Sequence, residues 1–303
     1  MPELSKDQIR KILKKVRNIE IRTHKTVVES MSGAYQSVFK GQGMDFEEVR
    51  EYAPGDDVRS IDWNITAKMN KPFVKKFREE RELTLWLLVD VSASGDFGSG
   101  EKSKREQASE LAAVLAFSAI RNQDKVGLIL FSNTVERFIP PKKGHTHVLR
   151  LIREILFFQP ENKGTDIPGA LNFLNQVFRR KSIVFLISDF LSHDGLQQDP
   201  ALLKALRLTH RRHDLICSLL SDPREHTLPN IGLLELEDAE TGETLTINTH
   251  NNTLLDAYQN ETNTLHSSFL QKLKQIGIST IALSTHQPYD KALREFFLKR
   301  RKS

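Results

Sequence analysis

From residue 83 onwards, continuous apolar runs alternate with segments in which apolar side chains recur at helical spacing. Continuous apolar runs are typical of strands buried on both faces of a sheet, and their alternation with helices predicts parallel strands. The predicted strands are residues 83–90, 126–131, 135–139, 182–188, 214–219 and 278–283. The predicted helices are residues 104–121, 148–158, 168–179, 201–210, 254–276 and 289–299. The pattern therefore predicts an α/β fold, a Rossmann-like and mostly parallel sheet with helices on both faces.

Two segments depart from this alternation. The run 135–139 contains Glu136 and Arg137 and follows a short turn, so we expect it to be an edge strand. Residues 232–236 and 244–248 flank a turn at 240–243 and predict a hairpin inserted before the longest helix.

The first 82 residues have a different pattern. They open with apolar positions that indicate an amphipathic helix and continue into a segment rich in glycine and aspartate, with no strong period. The apolar positions are Ile9, Ile12, Leu13, Val16 and Ile19. We therefore predict an N-terminal extension, residues 1–82, followed by the α/β domain, residues 83–303.

The composition indicates a soluble protein. A chain of 303 residues can bury a real core, and its single cysteine, Cys217, excludes an internal disulfide or a cysteine-built metal cluster. The start of the chain lacks the apolar core of a signal peptide, and the longest nearly apolar run, residues 111–120, is about half a membrane span. We expect a cytoplasmic protein without membrane insertion.

The net charge is +5, and much of the basic excess lies near the two ends, at residues 10–17 and 299–302. No aromatic residues are interleaved there to stack on bases. This pattern favours a solvated basic face, and we expect no nucleic-acid partner.

Candidate metal chemistry begins where the first buried strand ends. Asp90 closes that strand and is followed by Ser92 and Ser94, so one tight loop can direct a carboxylate and two hydroxyls at a common point. These are hard oxygen ligands, which suit Mg²⁺ or Mn²⁺ better than Zn²⁺. Ligands of open α/β sheets bind beyond the carboxyl ends of the strands, where the strand order reverses.

Two further oxygen donors follow other predicted loops. Thr165 precedes a helix, and Asp189 follows the strand 182–188. Aspartate and serine are also ordinary turn and helix-capping residues, so an Asp-x-Ser-x-Ser match alone favours a structural role. All three loops in this order favour a metal site.

With these three loops, the succession of strands and helices resembles the von Willebrand factor A fold and its metal-ion-dependent adhesion site. The resemblance covers residues 83–303. It implies that Asp90, Ser92, Ser94, Thr165 and Asp189 are the metal ligands, with Asp189 acting through water.

The extension resembles the signature of a bacterial family catalogued as domain of unknown function fifty-eight. The motifs that carry this resemblance are GQGMDF at 41–46, REY at 50–52 and PGDDVRSIDW at 54–63. Asp45 stands where the family usually has glutamate, and Gly95 follows Ser94 where methionine is common. Members commonly accompany MoxR-type AAA+ ATPases, so the implied partner is such an ATPase or a membrane-bound A-domain protein.

The charged residues of the extension can also be interpreted as purely structural. We predict a salt-bridge network that braces the extension, with Trp63 as an anchor, and keep direct partner binding as the alternative. The predicted network residues are Arg50, Asp57, Arg59 and Asp62.

Other sites fit less well. Residues 95–103 nearly form a phosphate-binding loop, but Glu101 separates Gly100 from Lys102, so we predict a flexible loop capped into the next helix. His145 and His147 have no third imidazole nearby in sequence. There is no Gly-x-Ser-x-Gly elbow, although a Ser/His/Asp triad stays open.

We therefore expect a non-enzymatic module that binds an acidic residue of a partner protein through the metal. The alternative is a metal-dependent phosphoester hydrolase, which the lack of a recognisable general base disfavours.

Overall fold

The computed structural model of the protein describes residues 45–69, 71–78, 82–162, 164–191, 199–239 and 241–301, with single residues and short stretches between 14 and 39. Residues 39–83 form one compact unit, and residues 1–38 with 84–303 form the other. The division into residues 1–82 and 83–303 stays a prediction. Of the amphipathic positions near the start, Val16 and Ile19 are helical and buried, whereas Ile9, Ile12 and Leu13 lie outside the described residues.

The unit 39–83 contains secondary structure that the sequence pattern did not predict. Strands β1 (Asp45–Glu51) and β2 (Phe73–Arg78) pair in antiparallel orientation. Between them lie a 3-10 turn (Val58–Ser60) and helix α1 (Trp63–Met69). Strand β1 was not predicted because its composition is polar. Three of its first four residues are glutamate or aspartate.

The predicted salt-bridge network of this unit needs correction. Arg50 forms a bidentate ion pair with Asp56, at 2.7 and 2.9 Å, which lowers the pKa of that carboxyl. Asp57 instead accepts a hydrogen bond of 2.9 Å from the backbone N–H of Arg59, and Asp62 likewise caps α1. The side chain of Trp63 is 68% exposed. That it anchors the extension against the α/β domain stays a prediction.

The second unit is built on a six-stranded sheet, which confirms the predicted fold class. Its order is β10-β7-β6-β3-β4-β5, and every neighbouring pair is parallel except β4 with β5. The antiparallel β5 lies at the edge, as Glu136 and Arg137 predicted. The strands are β3 (Thr84–Asp90), β4 (Lys125–Phe131), β5 (Val135–Lys142), β6 (Ile183–Ser188), β7 (Asp214–Ser221) and β10 (Ser279–Ser284).

Helices connect these strands except β4 and β5, which a short turn joins, and a short hairpin interrupts the last connection, as predicted. The helices are α2 (Lys104–Arg121), α3 (His145–Phe157), α4 (Ile167–Val177), α5 (Pro200–Arg212), α6 (Pro223–His226), α7 (Asn252–Ile276) and α8 (Tyr289–Arg301). The hairpin consists of β8 (Leu233–Glu237) and β9 (Thr244–Asn248). None of the helices that the structure describes combines the length and apolar character needed to cross a membrane.

The core requires a glycine on β4. Trp86 of β3 is fully buried, and its ring occupies the space beside Gly127, where an added Cβ would lie only 2.5 Å from the ring. The ring also stacks on Phe138 of the edge strand at a centroid distance of 5.6 Å. Strands β3 and β4 therefore pack closely because the ring of Trp86 fills the space that a side chain at position 127 would need, as close-packed interiors require.

Strand β3 is the point at which the strand order reverses. From β3 the chain passes through α2 to β4 on one side, whereas β6 and then β7 lie on the other side. In such sheets the helices diverge at the reversal and leave a crevice beyond the carboxyl ends of the strands. Asp90 ends β3 and Asp189 follows β6, so both lie at this crevice.

Candidate metal centre

The chain turns sharply after Asp90 and forms the loop that carries two serines. The Asp90 carboxylate folds back on this loop, because its Oδ1 accepts a hydrogen bond of 2.9 Å from the backbone N–H of Ser92. The hydroxyls of Ser92 and Ser94 lie 3.1 Å apart. One carboxylate and two hydroxyls therefore share one side of the loop.

The second oxygen of Asp90 is held by a residue that the sequence did not single out. Ser188, the last residue of β6, donates a hydrogen bond of 2.7 Å to Asp90 Oδ2 and accepts one of 3.0 Å from the backbone N–H of Phe190. The sequence signal that could have identified Ser188 was its position directly before Asp189, at the end of a predicted strand. Ser188 fixes the rotamer of Asp90 and ties β6 to β3.

Asp189 is positioned by an unusual backbone turn. Phe190, directly after it, has a φ of 56°, in the left-handed region that bulky residues rarely adopt. Its side chain is fully buried, and its ring lies 5.2 Å from that of Phe269, centroid to centroid. Such conformations persist where the surroundings determine them, and they concentrate at functional sites. Packing of Phe190 therefore sets the direction of the turn at Asp189.

Thr165 lies on the loop before α4, which contacts the turn after β4. The backbone N–H of Asp166 donates to the carbonyl oxygen of Ser132 at 2.7 Å, and Asp166 caps α4. Thr165 itself is half-buried. Because β4 is a neighbour of β3, this loop lies at the same edge of the sheet as Asp90.

A buried lysine ion-pairs with Asp189. Lys104, at the first position of α2, is 1% exposed, and its Nζ donates to Asp189 Oδ2 at 2.5 Å and to Glu225 Oε1. Burial lowers the pKa of Lys104, but the charges of Asp189 and Glu225 outweigh burial and raise it. Sequence reasoning missed Lys104 because a lysine in the first turn of a helix is ordinarily exposed.

The neighbouring Arg105 braces the serine loop. Its guanidinium donates to the backbone carbonyl of Val91 at 3.1 Å and to that of Phe158 at 2.7 Å, and it pairs with Asp96 at 2.9 Å. Because Asp96 balances its charge, Arg105 does not compensate the carboxylates of the crevice.

The crevice has an excess of negative charge. Burial, and then the charge of Asp189, raises the pKa of Asp90 to about 7. Asp189 and Glu225 share the ammonium group of Lys104, and Asp90 lies near enough to Asp189 for their charges to repel, so three ionised carboxylates beside one ammonium sum to −2. Buried carboxylates without a partner are costly, and a divalent cation is the simplest compensation.

The donor types also fit a hard cation. Among the residues that the structure describes, no three or more histidine, cysteine, aspartate or glutamate side chains form a group suited to a metal. The candidate donors are two carboxylates with the hydroxyls of Ser92, Ser94 and Thr165. Few charges with several neutral oxygens suit Mg²⁺ or Mn²⁺, which also retain water ligands.

The loop that follows the serines is clamped by Asp222 at the end of β7. Ser99 donates to this carboxylate from its backbone N–H at 2.9 Å and from its hydroxyl at 2.6 Å, and Thr285 donates at 2.5 Å. Burial raises the pKa of Asp222, but these hydrogen bonds lower it to about 2. The predicted loop is thus joined to β7 and β10, and Ser103 caps α2 as predicted by accepting from the N–H of Glu106.

The two candidate histidines have separate partners. His147 Nε2 lies 2.8 Å from the carbonyl oxygen of Val126, and burial lowers its pKa. His145 Nε2 lies 3.1 Å from a carboxylate oxygen of Glu20. Their contacts support structural roles for both rings.

A model of the family described as "Protein of unknown function DUF58" matches residues 48–267 of this chain. The chain belongs to this family. A relative of the DUF58 chain, the uncharacterized protein Mb1516 of Mycobacterium bovis, is 31% identical over 234 residues, which are 77% of this chain and 72% of the relative.

Solved structures similar to the DUF58 chain share little sequence with it. The conserved hypothetical protein BatB from Bacteroides thetaiotaomicron is 18% identical with a TM-score of 0.47, and the match covers 73% of this chain and all of that one. A protein described as von Willebrand factor type A from Catenulispora acidiphila is 10% identical with a TM-score of 0.38, covering 76% of this chain and 44% of that one.

Proposed function

We propose that this DUF58 protein is a non-enzymatic interaction module that binds an acidic residue of a partner protein through Mg²⁺ or Mn²⁺. The observation that supports this most directly is the pair of neighbouring carboxylates, Asp90 and Asp189, beside the single ammonium that Asp189 shares with Glu225. It lies at the crevice where α/β sheets bind ligands, and its charge suits a divalent cation.

Some residues would bind the ion directly, and others would position these ligands. Asp90, Ser92, Ser94 and Thr165 would hold the ion directly. Ser188 would hold Asp90 in place. Lys104 would remain ion-paired with Asp189, which favours contact of Asp189 with the ion through a water molecule and not directly. When bound, the ion supplies a positive charge at the rim that a partner carboxylate can approach.

Only two carboxylates belong to this donor set, which favours an open position for a third carboxylate from outside. An incoming aspartate or glutamate would form a strong bond in a partly desolvated site. The loop clamped by Asp222 lies beside the crevice and would help to decide which partner fits.

The family resemblance suggests the class of partner. A MoxR-type AAA+ ATPase, or a membrane-bound A-domain protein, is the partner we propose, and a cytoplasmic location belongs to the same proposal. A pull-down with and without Mg²⁺ would identify it.

Metal binding should appear as a gain in thermal stability. A ligand bound only by the native state adds RT ln(1 + [L]/Kd), about 1.4 kcal/mol at ten times Kd. For a domain of this size we expect a rise of about 3 °C in Tm with Mg²⁺ or Mn²⁺, measured by scanning calorimetry at constant ionic strength. Asp90→Ala should abolish the rise, and Asp256→Ala, an exposed position on α7, should retain it. An equal rise in Asp90→Ala would show that the site is assigned wrongly.

We expect no turnover of ATP or generic phosphoesters. A serine, an aspartate and a histidine do meet, because Ser99 Oγ lies 3.1 Å from His286 Nε2 and donates to Asp222. The hydroxyl proton therefore points to a carboxylate whose pKa of about 2 makes it a weak base. Hydrolysis that disappears in Asp90→Asn would overturn this expectation and favour a hydrolase.

A further inference from the structure

The hairpin of β8 and β9, with the residues that close its base, forms a surface that the metal centre does not use. We call residues 231–249 the acidic ribbon. Within the part of the chain that the structure describes, its two strands pair only with each other. The outer edge of each strand is therefore open to an added strand.

Apolar side chains are exposed on both faces of the acidic ribbon. On one face of β8, Leu233 is 76% exposed next to Glu235 and Glu237, and Ile231, just before the strand, is 64% exposed. On the other face the cross-strand pair of Leu236 and Leu245 leaves Leu245 63% exposed. Clustered exposed apolar side chains on a short ribbon indicate a contact surface.

The acidic ribbon is strongly polarised in charge. It contains five acidic residues and no lysine or arginine, although the chain as a whole carries +5. The stretch without lysine or arginine extends from residue 225 to 271. The acidic residues of the ribbon are Glu235, Glu237, Asp238, Glu240 and Glu243.

The helices on either side of the acidic ribbon contact each other, and one of them contacts Lys104 of the metal centre. It follows α6, whose Glu225 pairs with Lys104, and it leads into α7, whose Tyr258 hydroxyl donates to the carbonyl oxygen of Glu225 at 2.9 Å. At its base the buried hydroxyl of Thr249 accepts from the backbone N–H of Ile231 and of Gly232, both at 2.9 Å. The segments that flank the ribbon are therefore held beside the crevice, and most of the described side chains of the ribbon are exposed.

We propose that the acidic ribbon is a second docking surface, which binds an extended segment of a protein partner in which lysine or arginine alternates with large apolar side chains. Strand addition would satisfy the open edge of β8. The alternation would place basic groups on the face of Glu235 and Glu237, and apolar groups on the opposite face, which carries Leu234 and Leu236. The same charge repels nucleic acid and anionic membranes, so a basic peptide segment is the occupant that fits. This docking needs no metal and stands apart from the proposed function.

The probe is an eight-residue peptide that alternates lysine and valine, blocked at both ends and fluorescently labelled. Its anisotropy is measured with the full chain in EDTA, at low and at high NaCl. We expect binding that weakens with salt and is unchanged by Mg²⁺, and at least tenfold weaker binding to a triple variant with Leu233→Ser, Glu235→Lys and Glu237→Lys. A peptide that alternates glutamate and valine should bind at least tenfold more weakly than the lysine peptide.

The matched control carries Val177→Ser, Glu161→Lys and Glu295→Lys, which likewise change one aliphatic residue and two glutamates, at exposed positions elsewhere. It should bind the lysine peptide as the unmodified chain does. If the triple variant of the ribbon unfolds, Glu235→Gln alone, which keeps the size of the side chain and removes its charge, should still weaken binding several-fold.

Three results would overturn the proposal: equal binding by the ribbon variant, equal binding of the glutamate peptide, or no binding of the lysine peptide. Sedimentation velocity tests the remaining occupant. A dimer of the unmodified chain that is lost in the ribbon variant would show that a second copy covers the ribbon, and would also overturn the proposal. Because every peptide measurement is made in EDTA, failure of the metal centre would leave these results unchanged.

Discussion

Replacing Lys104 with methionine is expected to lower the free energy of unfolding by about 3–5 kcal/mol, because the change removes one partner from a buried group of charges. Asp189 and Glu225 would keep their negative charges next to Asp90, with no ammonium between them. Methionine preserves most of the packing volume of the lysine stem, so the loss reports the charge. Urea unfolding followed by circular dichroism gives the difference.

The control for this variant is Lys71→Met. Lys71 pairs with Glu51 at 3.0 Å, but both side chains are at least 60% exposed, so the loss should stay below about 1 kcal/mol. Glu225→Gln is a milder change that keeps the acceptor for the backbone of Asp222 and serves if Lys104→Met does not fold. A cost for Lys104→Met as small as that for Lys71→Met would show that the buried ion pairs of Lys104 contribute no more than an exposed pair.

The Lys104→Met variant also tests the proposed metal site. If a cation binds at the crevice, it supplies the charge that Lys104→Met lacks. Mg²⁺ should then stabilise Lys104→Met more than it stabilises the unmodified chain. Equal stabilisation of the two proteins would place the bound ion away from Asp189.

Removing the metal is expected to weaken partner binding at least about 30-fold, or about 2 kcal/mol, as loss of one member of a desolvated charge pair does. The measurement is the affinity for the proposed MoxR-type ATPase in Mg²⁺ and in EDTA. Thr165→Ala should weaken binding in Mg²⁺ and have little further effect in EDTA, because it removes only a proposed ligand of the ion.

Thr264→Ala is the control for this pair of measurements. Thr264 lies exposed on α7, where its hydroxyl donates to the carbonyl of Asn260, so its loss should leave the affinity unchanged. Binding that is indifferent both to EDTA and to Thr165→Ala would show that recognition uses another surface. The acidic ribbon and the segment from Arg50 to Trp63 would then be the first to test.

The central sheet was predictable because buried parallel strands are continuous apolar runs with polar ends. Every predicted strand of this sheet lies within three residues of its observed bounds at either end. The edge position of β5 was also predictable, since Glu136 and Arg137 would be costly in a strand covered on both faces. By contrast, β1 and β2 carry many charges, and no apolar period marked them.

The contacts of charged side chains were harder to predict than the helices and strands. Asp56, Asp57 and Asp62 are equivalent acids in sequence, and only the backbone turn decides that Asp56 meets Arg50 while the other two cap helical turns. Lys104 and Ser188 reach the crevice from positions with no distinctive spacing. The burial of Lys104 depends on β6 and α6, which lie about 85 and 121 residues further along the chain.

Strand β5 has a consequence for how the protein behaves in a crowded solution. It ends in Pro140, Pro141 and Lys142, and proline has no N–H to offer to a neighbouring strand. A second molecule therefore cannot extend the sheet along this end of the edge, and the lysine opposes close approach of another copy. Stacking of sheets edge to edge, which leads to insoluble aggregates, is blocked at a place where a long apolar sheet would otherwise be open to it.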